Sequence, residues 1–356
     1  MTKKYGSRIV ALTPGEDGLD LIRFDTETGE MTDIKNGEPE GVLVPGFVDI
    51  HFHGAYGIDF MSATKEQMSV LCKKLADDGY EGYLPTTVTA PASDVKKALA
   101  NLPADPMVLG FHLEGPFISP KYPGAQPKEF IIDPPTGSSE WDEILDDRRL
   151  RVVTLAPERP GALDLIRRLA KRKVIASMGH TDATYEEAEK GHEAGLRHST
   201  HTFNAMRGFH HREAGAAGAA MTLTPFFAEL IYDRIHVSPE AAMVLIQTRL
   251  VDGQVIAVSD STMASGLEPG TKLKMWGLDC VVGEGDVRLA DGGNLAGSAI
   301  TLRKAFENLT EDFGVDVAAD LCCYAPREAL RIKGHPRKWN LVDENTGELL
   351  ASFDVG

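Results

Sequence analysis

A chain of 356 residues with 37 Lys and Arg against 53 Asp and Glu has a formal charge of -16. This excludes the basic face that nucleic-acid binding requires. Its hydrophobic fraction of 42% and charged fraction of 25% belong to a globular protein with a core large enough to fold without disulfide or metal staples.

In chain order, the first forty residues read as short strands, Arg8–Leu12 and Leu19–Phe24, broken by turn signals at Thr28-Gly29 and Asn36-Gly37. No apolar segment follows the lysines of Met1–Tyr5, so no signal peptide is predicted. The C-terminal stretch repeats the β pattern with Trp339–Val342, a turn at Asn345-Thr346-Gly347 and Glu348–Val355. Two β-rich ends suggest one small sheet module built from both termini.

Between them, short apolar runs alternate with helical stretches. The runs are Val42–Ile50, Gly82–Val88, Val108–Leu113, Val152–Ala156, Val174–Met178, His198–Phe203, Phe226–Tyr232 and Val255–Val258. The helical stretches include Thr64–Asp78, Ala92–Leu102, Ala162–Arg172, Thr184–Ala194 and Pro239–Leu250. Unbroken apolar runs are the mark of parallel strands buried on both faces, and their alternation with helices marks βαβ units. Eight of them predict an α/β protein whose centre is a (β/α)8 TIM barrel. The most apolar stretches, such as Ala241–Ile246, are far shorter than the ~20 residues of a membrane-spanning helix. Cys72, Cys280, Cys322 and Cys323 form no C-x-x-C pair, which fits a reducing compartment. A cytoplasmic protein with no membrane partner is the expectation.

Polar residues gather at the ends of these runs. The first ends in His51-Phe52-His53-Gly54 and the third in His112-Leu113-Glu114-Gly115. The fifth ends at His180, the sixth carries His201 and the eighth ends at Asp260. In a barrel all these ends share one face. H-x-H on a strand points both imidazoles to one side. Four imidazoles and a carboxylate, His51, His53, His180, His201 and Glu114, suit zinc or a similar divalent ion. Any one of these histidines alone would read as a hydrogen-bonded core residue. Asp260 reads either as a helix N-cap or as a general acid/base beside a metal.

Pro45-Gly46-Phe47-Val48-Asp49-Ile50-His51-Phe52-His53-Gly54 resembles the opening motif of the amidohydrolase superfamily. Gly110–Phe117, Thr154–Glu158, Gly179–Thr184, His201–Met206, Arg212–Gly215, Ile235–Val237 and Leu295–Ala299 resemble, more narrowly, the N-acetylglucosamine-6-phosphate deacetylase family. The resemblance runs from about Val42 to about Asn308. It implies a barrel at 45–332 and a small β-sandwich domain built from 1–44 and 333–356. It implies Glu114, His180 and His201 as ligands of a main metal, with His51 and His53 matching members that hold a second. One or two divalent ions are expected, zinc first, with iron, manganese or cobalt as alternatives. Asp260 is implied as the catalytic acid/base, and Asn204, Ala205, Arg212, His236 and Leu295 as substrate contacts. Gln126 falls where relatives place a His or Gln near the acetyl carbonyl. Arg212 is expected to reach the phosphate of a neighbouring subunit's phosphosugar, which implies a homodimer.

Each of these has a plainer reading. Arg212 could be a solvated loop residue paired with Glu213, at little energetic value, and His236 could cap a strand. His210 and His211 read as loop residues. Asp233-Arg234 stands where the family usually has Asp-Gly, and Ser261–Gly266 also varies. Arg234 could add a phosphate contact, change the sugar preference or point outward. The implied activity is deacetylation of N-acetylglucosamine 6-phosphate. Alternatives are a related sugar (N-acetylgalactosamine 6-phosphate or an unphosphorylated N-acetylhexosamine), a hydantoinase-type reaction or a non-catalytic barrel. A hydantoinase would need a lysine on the fourth strand, and Arg151–Ala156 has none.

Overall fold

All eight apolar runs form strands, running parallel because each returns through a helix or long loop. In chain order they are β1 (Phe47–Phe52), β2 (Tyr80–Pro85), β3 (Phe111–Glu114), β4 (Leu150–Leu155), β5 (Ile175–Met178), β6 (His198–Ser199), β7 (Phe226–Ile231) and β8 (Gly253–Val258). The computed structural model describes residues 5–16, 18–249, 253–291, 293 and 295–355. Met1–Lys4 and Leu250, on which expectations fell, lie outside them.

Strands β3 to β8 pair successively in one six-stranded sheet, and β1 pairs with β2. Single parallel bridges join the two pieces on both sides: Tyr83 with Val108 and Thr86 with His112 on one, Phe52 with Ser261 on the other. The result is a curled, TIM-barrel-like α/β architecture in which all strand C-termini meet at one end. Strands β1, β2 and β3 are buried at every residue. Val48, Ile50, Leu84, Val152, Ile231, Ile256 and Val258 form a buried apolar cluster with Ala325, Ala329 and Leu330.

Three of the helices start at side-chain caps. Thr64 and Thr184 each accept from the third helical N–H, and Gln67 and Glu187 reach back to the cap N–H in return. Ser238 caps Pro239–Thr248 with Pro at its first position. The Thr184 cap anchors the chain just past His180, so the loop carrying that histidine is tied at both ends.

The two ends of the chain meet in one six-stranded sheet, ordered Leu349–Asp354, Lys338–Val342, Val42–Pro45, Arg8–Gly15, Gly18–Asp25, Met31–Asp33. The predicted run Val42–Ile50 is therefore split at Gly46. Its first half lies in the terminal sheet and its second half is β1. No side chain fits at Gly46, because a Cβ there would stand 2.8 Å from that of Glu81.

A further four-stranded antiparallel sheet, Lys272–Met275, Leu278–Val282, Asp286–Leu289 and Leu295–Ser298, is inserted after β8. Sequence reading did not anticipate it. Its first turn is Trp276-Gly277, both at positive φ (53 and 86), the conformation of a tight hairpin turn. Tryptophan is not a residue that signals such a turn, so the hairpin was hidden.

Candidate metal centre and active site

At the C-terminal ends of β1, β3, β5, β6 and β8, five side chains and Asp260 converge. His180 Nε2 and His201 Nε2 each stand 3.2 Å from Glu114 Oε1 and 3.1 Å from one another. On the other side, His51 Nε2 and His53 Nε2 are 3.2 Å apart, and each lies 3.3 Å from Asp260 Oδ1. Glu114 joins the two triangles, with Oε1 3.4 Å from His51 and Oε2 3.3 Å from His53.

These edges test whether a metal fits. Ligands arranged tetrahedrally about zinc at ~2.0–2.1 Å stand about 3.3 Å from one another. Both triangles have that size. The imidazoles are also turned correctly. His180 Nδ1 faces Tyr122 O at 3.0 Å, His53 Nδ1 faces Thr86 O at 3.1 Å, and His51 Nδ1 faces Glu229 Oε2 at 2.9 Å. Each acceptor fixes the proton on Nδ1 and leaves the Nε2 lone pair for a cation.

The local backbone is bent to achieve this. His180, His201 and Asp260 all have positive φ, at 46, 29 and 45. Such conformations cost on the order of 1–3 kcal/mol each and collect at functional sites. Glu114 is followed by Gly115 at φ 69, where a Cβ would lie 2.1 Å from Thr89 Oγ1. Only glycine allows that approach.

Electrostatics match the donor set. Burial would raise the Glu114 carboxyl, but His51, His180 and His201 hold it well below the usual range. Burial likewise opposes ionisation of Asp260, yet His51 and His53 bring it down to about 2. Burial disfavours protonated His53, but Asp260 and Glu114 lift it to about 9. The carboxylates are therefore anionic at neutral pH, held so by the imidazoles packed around them.

The centre floors a cavity of about 190 Å³. Gln126, Asn204, Ala205, His236, Asp260 and Leu295 line it, together with His53, Glu114, His180 and His201. Gln126 Nε2 donates to Glu114 Oε2 at 2.6 Å, and its oxygen accepts from Thr89 N at 2.7 Å. His236 Nδ1 lies 2.5 Å from Asp233 Oδ2. Burial disfavours protonation of His236, but Asp233 raises it above its ordinary value.

Two arginines do not enter this cavity. Arg212 is exposed and its Nη1 meets the neighbouring His211 at 2.8 Å. Arg234 points away: it pairs with Glu311 at 2.9 Å and Asp312 at 2.7 Å and donates to Asn308 O. A contact from Arg234 to substrate phosphate is thereby corrected to the outward reading.

Sequence reasoning missed Glu229, Asp49 and Trp276. Glu229 is a lone acid inside the apolar run of β7, a signal that could have found it. Asp49 lies on β1, where it accepts from Ser259 Oγ at 2.6 Å. Trp276 lines the cavity beside His53, ring centroids 5.3 Å apart, and donates to Asp59 Oδ2 at 3.0 Å.

The profile of the amidohydrolase family matches residues 42–334. The chain belongs to that family. This amidohydrolase is 37% identical over 285 residues to N-acetylglucosamine-6-phosphate deacetylase of Bacillus subtilis, covering 76% of this chain and 70% of that one. It is 35% identical over 318 residues to N-acetylgalactosamine-6-phosphate deacetylase of Escherichia coli O157:H7, covering 86% and 80%. The solved N-acetylglucosamine-6-phosphate deacetylase of Thermotoga maritima superposes with a TM-score of 0.83 at 30% identity, over 96% of this chain and 98% of that one. Among the described residues no helix is long and apolar enough to cross a membrane.

Proposed function

We propose that this amidohydrolase hydrolyses the acetamide of N-acetylglucosamine 6-phosphate to glucosamine 6-phosphate and acetate, a step of amino-sugar catabolism. The observation that carries the reading is Asp260, on the cavity wall 3.3 Å from His51 and His53, above a floor of Glu114, His180 and His201. Names of relatives such as that of B. subtilis support the substrate.

Glu114, His180 and His201 hold one divalent ion, and His51, His53 and Asp260, with Glu114 between, offer a second position. Zinc suits this nitrogen and oxygen set, and iron, manganese or cobalt are alternatives. When bound, the ion polarises the acetamide carbonyl and acidifies water. Asp260 takes the proton of the attacking water and passes it to the leaving amine nitrogen. Gln126 orients the acetyl carbonyl. Asn204, the Ala205 backbone and Leu295 hold the sugar and His236 its phosphate end, so the binding energy of the phosphosugar fixes the acetamide for attack. Arg212, outside its own cavity, reaches the phosphate in a neighbouring subunit of a homodimer. The bridges that join β1 and β2 to the six-stranded sheet support a closed (β/α)8 barrel at 45–332. The single sheet shared by both ends supports a small terminal β domain at 1–44 and 333–356, which the resemblance reads as a β-sandwich. Four free cysteines fit a cytoplasmic location.

The C4 epimer is the second reading, favoured by the 35% identity to the E. coli galactosamine enzyme. A screen of N-acetylated hexosamines, with and without the 6-phosphate, decides by acetate release. Highest kcat/KM on N-acetylglucosamine 6-phosphate supports the first reading and preference for the epimer the second. No acetate from any of them overturns both.

A further inference from the structure

We propose that Glu229 is a positioning residue that sets one histidine of each donor triangle, and so ties the two metal positions together. The inference rests on the reading of the site as a metal centre. One oxygen does both tasks. Glu229 Oε2 accepts from His51 Nδ1 at 2.9 Å and from the backbone N–H of His201 at 3.0 Å. His51 belongs to the triangle with His53 and Asp260, and His201 to the triangle with Glu114 and His180.

The two histidines differ from their partners in a way that makes this acceptor matter. His53 and His180 are oriented by backbone carbonyls, while His51 is oriented by a carboxylate. The His201 ring has no acceptor for Nδ1 among the described residues. Its position therefore depends on its backbone, which sits at φ 29. A buried N–H in such a conformation needs a fixed acceptor, and Glu229 supplies it.

Glu229 is fully buried. The other Glu229 oxygen, Oε1, lies 3.6 Å from His198 Nδ1 and has no hydrogen-bond partner among the described residues. Beneath Glu229 runs a chain of contacts across successive strands. His198 Nδ1 meets Ser177 Oγ at 3.2 Å, and Ser177 meets Thr200 Oγ1 at 2.6 Å. Thr200 meets Thr154 Oγ1 at 2.6 Å, and Thr154 meets His112 Nε2 at 2.7 Å. His112 Nδ1 faces Ile50 O at 3.1 Å. Both nitrogens of His112 are thus engaged, so His51, His112 and Glu229, though close together, are not a third metal site. They are support for the two above it.

The test reads metal affinity by chelator competition, with metal content per chain, in the parent protein, Glu229→Gln and Glu229→Ala. No substrate is needed. An amide oxygen can still accept both bonds, so Glu229→Gln is expected to keep the parental affinity. Glu229→Ala is expected to lose about 10- to 100-fold, the usual cost of removing a partner behind a metal ligand. Equal affinity in all three proteins overturns the proposal. Equal loss in both variants also overturns it, because charge rather than position is then what counts. Should the alanine variant fail to fold, nitrogen-15 spectra of the histidines in the zinc-loaded parent and in Glu229→Gln decide. A hydrogen-bonded Nδ1–H on His51 in both supports the role, and its absence from the parent overturns it. A parent that binds no divalent metal overturns this inference and the metal-centre reading together. Metal bound regardless of residue 229 overturns this inference alone.

Discussion

The floor of the cavity and its rim differ in how completely one chain furnishes them. On the floor, three of the four imidazoles have Nδ1 tied to an acceptor, and the donor atoms already stand at ligand spacing. At the rim, the Asn204 amide makes one long bond of 3.4 Å to Thr202 O, and no Lys or Arg is among the described residues that line the cavity. The groups proposed to do the chemistry are preorganised within a single chain. The groups proposed to recognise an anion are His236 and, from a neighbouring subunit, Arg212. Preorganisation matters most where charge develops during reaction, while recognition of a dianion can be shared between subunits.

The largest break in that comparison should come from the floor. Stripping the protein with a chelator should abolish acetate release, and adding back a divalent ion should restore it. Asp260→Asn should lower kcat by about 10²- to 10⁴-fold, the usual contribution of a general acid/base. Metal should remain at Glu114, His180 and His201. Near-parental turnover in this variant would remove Asp260 from its role.

The rim should respond in KM instead. Arg212→Ala should weaken binding of the phosphorylated substrate by about 1.5–3 kcal/mol, the scale of a hydrogen bond to a charged group. That is tenfold or more in KM, with kcat little changed and no effect on the unphosphorylated sugar. An unchanged KM would make Arg212 an ordinary surface residue.

A smaller effect should follow pH. His236 has a raised pKa, so its cationic form persists above the ordinary histidine range. Affinity for the phosphorylated sugar should be full at lower pH and fall as pH rises through that raised value. Asp233→Asn should move the fall to lower pH. A KM profile that ignores this substitution would detach His236 from the phosphate.

The smallest effect belongs to Arg234. Its partners, Glu311 and Asp312, lie on the helix Leu302–Phe313. Arg234→Ala should leave KM unchanged and cost about 0.2–1 kcal/mol of stability, as partly exposed ion pairs do. A thermal melt and a substrate titration on the same preparation separate the two.

The eight parallel strands were legible because a strand buried on both faces must be apolar throughout. The donor residues were legible because each interrupts such a run at its end. Other features were not. The antiparallel insertion turns on Trp276-Gly277, and nothing local marks a tryptophan as a turn residue. Glu229 matters only because β7 lies beside β6 and its side chain reaches the backbone of His201 and the ring of His51. The outward direction of Arg234 depends on acids 77 and 78 positions away in the chain.

By itself the sequence determined the alternation of strands and helices and the identity of the six groups at the strand ends. These are local matters of periodicity and burial. Tertiary structure alone decided that Glu114 lies between two triangles, that Glu229 supports both, and that Arg212 and Arg234 stay outside the cavity. The physical reason is that side-chain orientation over a few ångströms is set by groups distant in the chain. Their meeting is fixed only when the sheet curls and its strand ends converge.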